Sequence, residues 1–471
     1  MKIKRKQYMK LIKGVALTLT FLSLQSCFVA KEYTRQENVV ESQNFRTDQL
    51  PQDSLSMATV SWKEIFTDPI LQNYIEEGLT NNMDIRIALQ QLAIAEAYVK
   101  QGKAGYFPTL NATARATHQE LSQSSRVPGQ GSSVDHFEVA GGLSWEADIW
   151  GKIRSTKRAS DATYLQTVAA HQAVKSRLVA NIASAYFQIL ALDEQIRVTE
   201  ETIETRSKGL ETTIALKDAG IGNEAGVKQT EAQLYTAKAI LIDLKAQSRF
   251  VENTLSILLG SAPHDIARGS LEEQKIDIPL ETGVPSQLLS NRPDVIAAEY
   301  SLINAFELTN VARTNFYPSL TLNANGGFQS FELDNLFNVN SLFASVVGGL
   351  TQPIFNGRKI RTQYEVSQAQ QQQALLQFKY ALLVAGKEVS DAMYSIEAAS
   401  EKIQTKKSEK DAYNLAVEYS QELLDNGLTN YLDVLIAQGF ALNSSLDLVT
   451  AKNNRLQAIV DLYEALGGGW R

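Results

Sequence analysis

The chain has 471 residues, with 45 Lys plus Arg against 52 Asp plus Glu, and a formal net charge of −7 at pH 7. That acidic balance excludes a nucleic-acid partner, and a single Cys excludes a disulfide framework. No Pro lies between Pro128 and Pro263 or after Pro353, which leaves two spans where long helices can run.

Residues 1–26 read as a targeting signal. Lys2, Lys4, Arg5, Lys6, Lys10 and Lys13 precede a short apolar run, Gly14 to Leu24. A run this short is a signal core rather than a membrane span. Leu24-Gln25-Ser26-Cys27 follows and resembles a bacterial lipoprotein signal, with Cys27 as the acylated first residue after cleavage. Gln25 stands where such signals carry a small residue; a plain secretory signal with an incidental Cys is the alternative. Several acyl chains anchor stably in lipid, whereas one does not. Removing the six basic residues takes the net charge from −7 to −13. Beyond the signal no apolar run of about 18 residues points to a membrane helix.

Residues 27–80 form an anchor and equatorial segment. Positions 28 to 60 are polar and turn-rich, an extended lead, and Trp62 to Phe66 and Pro69 to Leu79 read as short helices. Asp84 to Lys103 is helical, with Ile85, Ala88, Leu89, Leu92, Ala95 and Val99 on one side. At Gly105-Tyr106-Phe107-Pro108 the period drops to two. Leu110, Ala112, Ala114 and Ala116 alternate with Asn111, Thr113, Arg115 and Thr117. After a Ser- and Gly-rich loop, Phe137, Val139, Gly141, Leu143 and Trp145 alternate with His136, Glu138, Gly142, Ser144 and Glu146. These are two amphipathic strands, about 107–121 and 135–149, near the length that crosses a tilted bilayer.

From Ile153 to Lys217 there is no Pro, and Gly209 is the lone Gly. Leu178, Ile182, Ala185, Ile189, Leu192 and Ile196 are spaced by threes and fours, and Ile203 and Leu210 continue at steps of seven. That is a coiled-coil seam on a helix of roughly 96 Å, too long for a compact domain. The helix ends near Gly220-Ile221-Gly222-Asn223. A return helix follows, with Leu234, Ala237, Leu241, Leu244, Val251, Leu255 and Leu258 on its seam, closing at Leu259-Gly260.

The pattern then repeats. Asn81, Asp84, Ile85, Phe107-Pro108 and Leu110 correspond to Asn291, Asp294, Val295, Tyr317-Pro318 and Leu320 at an offset of 210. Beyond the hairpin the offset is 207: Gly141 with Gly348, Ile182 with Val389, Ile189 with Ile396, Gly220 with Gly427, Gly260 with Gly467. The first repeat spans 81–260, a linker 261–290, and the second repeat 291–471 with strands about 317–331 and 341–355. One residue added to a helix rotates all that follows by about 100°, so an unchanged offset along the helices predicts two equivalent packed arms. Each chain supplies four strands. A membrane barrel must close, and the smallest bacterial barrels have eight strands, so several copies must share one. Asn111, Thr113, Arg115, Glu138, Glu146 and Asn323 are expected to face the lumen. The alternative use of the same alternation is a soluble sandwich.

Leu288-Leu289-Ser290-Asn291-Arg292-Pro293-Asp294-Val295-Ile296-Ala297-Ala298-Glu299 is similar to the Arg-Pro-Asp signature, with its Ala-Glu, of TolC-like outer-membrane efflux channels. Phe316-Tyr317-Pro318-Ser319-Leu320 and Pro353-Ile354-Phe355-Asn356-Gly357-Arg358 match further patterns of that family. The chain resembles the lipoprotein branch of RND-type multidrug efflux systems from Cys27 onward. Arg292, Pro293, Asp294 and Glu299 are the signature residues. The resemblance implies an α+β fold, a homotrimer sharing a 12-stranded barrel, and a helical tunnel through the periplasm. It also implies docking of a periplasmic adaptor and an inner-membrane RND pump. The adaptor-docking tips are then Gly220, Ile221, Gly222, Gly427, Leu428 and Thr429, and Asp433 matches an acidic gate position. Where some members carry a second Asp this chain has Ile436, and Gly226 takes the equivalent place in the first repeat.

No enzyme or cofactor signature is found. His118, His136, His171 and His264 show no metal-ligand spacing, and Gly220, Gly222 and Gly226 do not make a phosphate loop. Two other uses compete with drug efflux. One is the same architecture serving type I protein secretion. The other is a lipid-anchored periplasmic scaffold without a pore.

Overall fold

The structure, a computed structural model, describes residues 29–35, 60–126, 131–274, 276 and 288–470. The signal 1–26 and Cys27 lie outside the described residues, as do 275 and 277–287 of the linker. Elements in chain order are α1 (Trp62–Ile65), α2 (Pro69–Asn81), α3 (Met83–Ala104), β1 (Thr109–Glu120), β2 (Ser133–Ala147), α4 (Lys152–Asp218) and α5 (Glu224–Leu258). The second half gives α6 (Leu288–Asn291), α7 (Pro293–Thr314), β3 (Ser319–Ser330), β4 (Leu342–Thr351), α8 (Lys359–Asp425) and α9 (Tyr431–Ala465). The two long helices have 67 residues each and the two return helices 35 each. At 1.5 Å per residue, α4 and α8 each carry about 100 Å of helix.

The chain forms two compact units. Among the described residues the first comprises 29–35, Ala93–Gln166 and Ala298–Gln377. It holds one antiparallel sheet in the order β1-β2-β3-β4. The pairs Leu110↔Leu143, Leu143↔Ala324 and Ala324↔Val346 run one apolar row across all four strands. The pairs Asn111↔Gly142, Gly142↔Asn325 and Asn325↔Ser345 run a polar row on the other face. By the two-residue alternation of strands, Asn111, Thr113, Arg115, Glu138, Glu146 and Asn323 all lie on that polar face. At the strand-to-helix junction, Asp148 accepts from the backbone N–H groups of Ile153 and Arg154 (2.8 and 2.9 Å) and so starts α4. Trp150 packs on Tyr317, with ring centroids 5.0 Å apart, and its indole donates to the Pro318 carbonyl.

The first unit also holds a strap. Residues 29–35 run along α7. Asn310 takes both backbone groups of Lys31, Arg313 donates to the Val29 carbonyl, and Tyr33 meets the Phe306 ring edge-on. Arg35 pairs with both oxygens of Glu299.

Among the described residues the second unit comprises 60–92, Thr167–Ala297 and 378–470. Its core gathers Leu178, Ile182, Ala185, Ile189 and Leu192 of the α4 seam, all buried, with Val389 and Ile396 at their repeat positions. Ile196, Ile203 and Leu210, further along the same seam, are only half-buried. Phe66 contacts Phe187 and Tyr463, and Tyr186 donates to Asp68, the N-cap of α2. The linker docks here as well: Ile266, Leu271 and Ile276 are buried, and Arg268 bridges Asp193 and Glu252. Among the described residues one helix, α9, is long and apolar enough by composition to cross a membrane, which the sequence reading did not expect. Half of its most apolar stretch is buried within the chain, which is the behaviour of a core helix.

Candidate gate, tips and signature cluster

The two tips are the same construction made twice. α4 ends with Gly220 at φ 77°, where its N–H reaches the Lys217 carbonyl and the Ile221 N–H reaches back to Leu216. α8 ends with Gly427 at φ 70°, with the same two bonds from Gly427 to Leu424 and from Leu428 to Leu423. This is the Schellman closure, which requires a left-handed residue and therefore favours Gly. Asn223 and Asn430 then cap the return helices through Gly226 N–H and Leu432 N–H, each at 2.9 Å. In such closures the residue after the Gly commonly packs back onto its own helix. Here Ile221 and Leu428 are instead 78% and 74% exposed, so both tips present an apolar side chain outward.

Asp433 sits in the first turn of α9, exposed, and accepts a hydrogen bond from the Thr429 hydroxyl. A carboxylate there is favoured by the free N–H groups of the helix start. Tyr431, Val434 and Leu435 turn inward and pack with Leu424. Leu432, Ile436 and Phe440 share the exposed side with Asp433. Gly226, its repeat counterpart, carries no side chain. The sequence missed Arg206, close to this turn. It is buried, donates to the Gln233 carbonyl at 2.6 Å, and leaves its Nε without a partner. Burial lowers its pKa, an effect the neighbouring Tyr431 opposes. A charge on a helical pattern reads as a solvated face, so no sequence signal marks it.

The signature cluster joins the start of each repeat to the end of its return helix. Arg292 is buried and donates to the Ala465 carbonyl at 2.9 Å, to both oxygens of Asp294, and to Glu388 at 2.6 Å. Burial by itself would raise the Asp294 carboxyl, but its bonds to Arg292 hold it below the ordinary value. In the first repeat Asn82 stands in place of Arg292 and donates to the Leu258 carbonyl, also at 2.9 Å. Leu258 is the counterpart of Ala465. Just beyond, Gly260 (φ 77°) lies against the backbone of Asn81, and Gly467 (φ 91°) against that of Asn291. Pro293 opens α7, a position where no intrahelical donor is lost. Glu299, further along α7, holds the Arg35 strap.

Comparison with known proteins agrees with this arrangement. The profile of the family described as "Outer membrane efflux protein" matches residues 74–261 and 284–468. The solvent efflux pump outer membrane protein SrpC of Pseudomonas putida is 29% identical over 89% of each chain. The cation efflux system protein CusC of Escherichia coli is 26% identical, covering 96% of this chain and 97% of the relative. Among solved structures, the outer-membrane channel OprN aligns with a TM-score of 0.86 at 24% identity, covering 94% of this chain and all of that one. The open-state Neisseria gonorrhoeae MtrE channel aligns at 0.83 with 26% identity, covering 94% and 99%. The fold is therefore that of TolC-like outer-membrane channels, with two repeats and no enzyme chemistry. The chain belongs to the outer membrane efflux protein family, the outer-membrane components of efflux pumps.

Proposed function

We propose that three copies of this chain close one 12-stranded barrel in the outer membrane and form a passive conduit for small molecules. The observation that carries this is the sheet itself, apolar on one face and, from β1 to β3, polar on the other. Among the described residues neither β1 nor β4 has a partner on its outer edge. Open edges cannot be satisfied in hydrocarbon, so only neighbouring copies can finish the barrel. A lumen framed by Asn111, Arg115, Glu138 and Asn323 is wet and presents no pocket, which suits transport without chemistry. Relatives named as efflux-pump components favour this use over type I protein secretion.

The remaining parts follow from the tips and the strap. A periplasmic adaptor serving an inner-membrane RND pump docks at Gly220-Ile221-Gly222 and Gly427-Leu428-Thr429, whose exposed Ile221 and Leu428 supply apolar contact. Three Asp433 carboxylates form the gate ring, where mutual repulsion favours cations. Acylated Cys27 anchors the chain in outer-membrane lipid. The strap begins two residues after it, against Arg313 at the strand end of α7, and runs from there away from the strands to Glu299, which supports an anchor held at the membrane face.

Single-channel recording in planar bilayers tests the conduit. Discrete conductance steps from an oligomer of three chains are expected, and a protein that inserts without conducting is a scaffold instead. Incorporation of labelled palmitate, lost in Cys27→Ser, tests the anchor.

A further inference from the structure

The two hairpins of the sheet repeat one another, so a position where their chemistry differs is informative. His118↔Asp135 in the first hairpin becomes Phe328↔Leu342 in the second, at offsets of 210 and 207. Both pairs lie on the apolar face, since His118 is an even number of residues from Leu110, and Phe328 from Ala324. Both stand one step beyond the last pairs that stay apolar in the two hairpins, Ala116↔Phe137 and Gly326↔Ala344. For a strand tilted by about 40°, that step is about 5 Å of height. There the first hairpin turns polar, with His118 at 2.6 Å from Asp135 and 3.5 Å from Glu120. The second hairpin stays apolar.

The loops beyond continue the contrast. Ser122 to Ser132 is rich in Ser, Gly and Gln, with Val127 its one aliphatic residue. The β3–β4 loop, 331–341, instead carries Leu333, Phe337 and Val339, which are 61%, 73% and 82% exposed. Its backbone is ordered from within. The N–H groups of Asn335, Leu336, Asn338 and Ser341 reach carbonyls of the same loop at 2.9–3.2 Å. The Ser341 hydroxyl donates to the Asn335 carbonyl, and the Asn335 amide to Glu332. A loop that satisfies its own donors can lie against lipid, where unpaired N–H groups are costly. Phe337 fixes the side on which it lies. Its ring meets that of Phe328 edge-on, with centroids 5.8 Å apart, so the loop folds back over the apolar face. Only Phe331, at the start of the loop, turns the other way and meets His136 on the polar face.

We infer that the β3–β4 loop is a lipid-binding element: Phe337 and Val339 of each copy sit among the acyl chains of the outer leaflet, while the β1–β2 loop stands in water. The inference rests on the shared-barrel reading and adds which part of the rim the membrane holds. Exposed apolar surface continuous with a lipid-facing row is a membrane contact, and aromatic rings favour the membrane boundary. Glu332 and Asp334 keep the loop at that boundary, because a carboxylate is costly in hydrocarbon.

Spin labels on single-cysteine variants of the full-length, acylated protein, in which Cys27 is capped, test this in phosphatidylcholine vesicles. Labels at Phe337→Cys and Val339→Cys should collide more with oxygen, which concentrates in lipid, than with a water-soluble nickel chelate. Ser132→Cys, at the repeat counterpart of Val339, should show the inverse ratio. Phe337→Trp, which keeps a ring against Phe328, should be quenched by brominated acyl chains beyond the wild-type level. Nickel accessibility at Phe337 and Val339 equal to that at Ser132, with no added quenching, overturns the inference. Labels shielded from both reagents would mean that protein covers the loop, which overturns it equally. Val346→Cys, in the middle of the apolar row of β4, separates the two readings. Water at Val346 sinks the barrel itself, whereas lipid at Val346 with water at Phe337 and Val339 removes the loop alone.

Discussion

Replacing Arg292 separates what the signature does from what it resembles. Its side chain is 8% exposed, whereas those of its partners Asp294 and Glu388 are 47% and 43% exposed. Freed of Arg292, both carboxylates rehydrate, so the ion pairs themselves account for little. The Ala465 carbonyl has no such escape, because Ala465 is 4% exposed at the end of α9. Leaving a buried acceptor unpaired costs about 1–3 kcal/mol, and the void left by the guanidinium adds to that. Arg292→Leu should therefore cost about 2–4 kcal/mol. Arg292→Asn copies the first repeat, where Asn82 reaches the Leu258 carbonyl and also accepts from Asp84 N–H at 2.8 Å. It should restore the carbonyl bond and add an N-cap worth about 1 kcal/mol, leaving a net cost below about 1 kcal/mol. Thermal and urea midpoints of the detergent-solubilised oligomer measure the order: wild type, then Asn, then Leu. If Asn proves as damaging as Leu, the carbonyl bond is not what the signature supplies, and the equivalence of the two repeats at this point is wrong.

Asp433→Ala should raise resting conductance or weaken cation selectivity; wild-type values for both in planar bilayers would remove Asp433 from the gate. Ala at Gly220 or Gly427 meets open space and costs only the left-handed backbone, about 1 kcal/mol, whereas Ala at Gly260 or Gly467 also drives a Cβ into the backbone of Asn81 or Asn291. Thermal shifts clearly larger at the second pair are expected, and equal shifts would refute the close packing. Burial raises the carboxyls of both Asp461 and Glu464, so ionising them opposes folding. Asp461→Asn and Glu464→Gln should stabilise the protein at pH 7, with the gain shrinking as pH falls toward the ordinary carboxylate range, and a gain that grows on acidification would reverse the assignment.

Much of this was legible because helices and strands impose different periods. Threes and fours from Leu178 to Ile196 specified a seam, and its buried portion forms the core of the second unit. Alternation specified which strand residues share a face, and the observed register keeps that assignment from β1 to β3, whereas β4 brings Phe343 and Val347 onto the polar face. Tip closures were readable from Gly220 and Gly427 because few residues adopt a left-handed backbone at low cost. Contacts between distant segments were not readable. Arg35 and Glu299 lie 264 residues apart, and Arg292 and Ala465 lie 173 apart. No local pattern pairs a guanidinium with one particular carboxylate or carbonyl. Arg206 stayed hidden for a related reason, since its burial comes from the packing of neighbouring helices and not from its own spacing.

A duplicated chain assembled threefold has six nearly equivalent arms, so differences between the halves show where six becomes three. At the tip that difference is Gly226 against Asp433. In the trimer and gate proposed above, this makes one acidic ring of three carboxylates, where a symmetric chain would have six. The first repeat has room for the missing group: a Cβ on Gly226 meets nothing closer than Asn223 Oδ1 at 3.7 Å. The position lies in the first turn of α5, where the helix start favours an anion. Gly226→Asp should thus fold normally and give the resting channel a second acidic ring. Lower conductance at neutral pH and a reversal potential shifted toward the cation value are expected. Both effects should fade on acidification, because like charges in close rings raise each other's pKa. An unchanged reversal potential in protein of normal stability would mean that the first-repeat tips stand away from the ion path, and that only the α9 arms line the constriction.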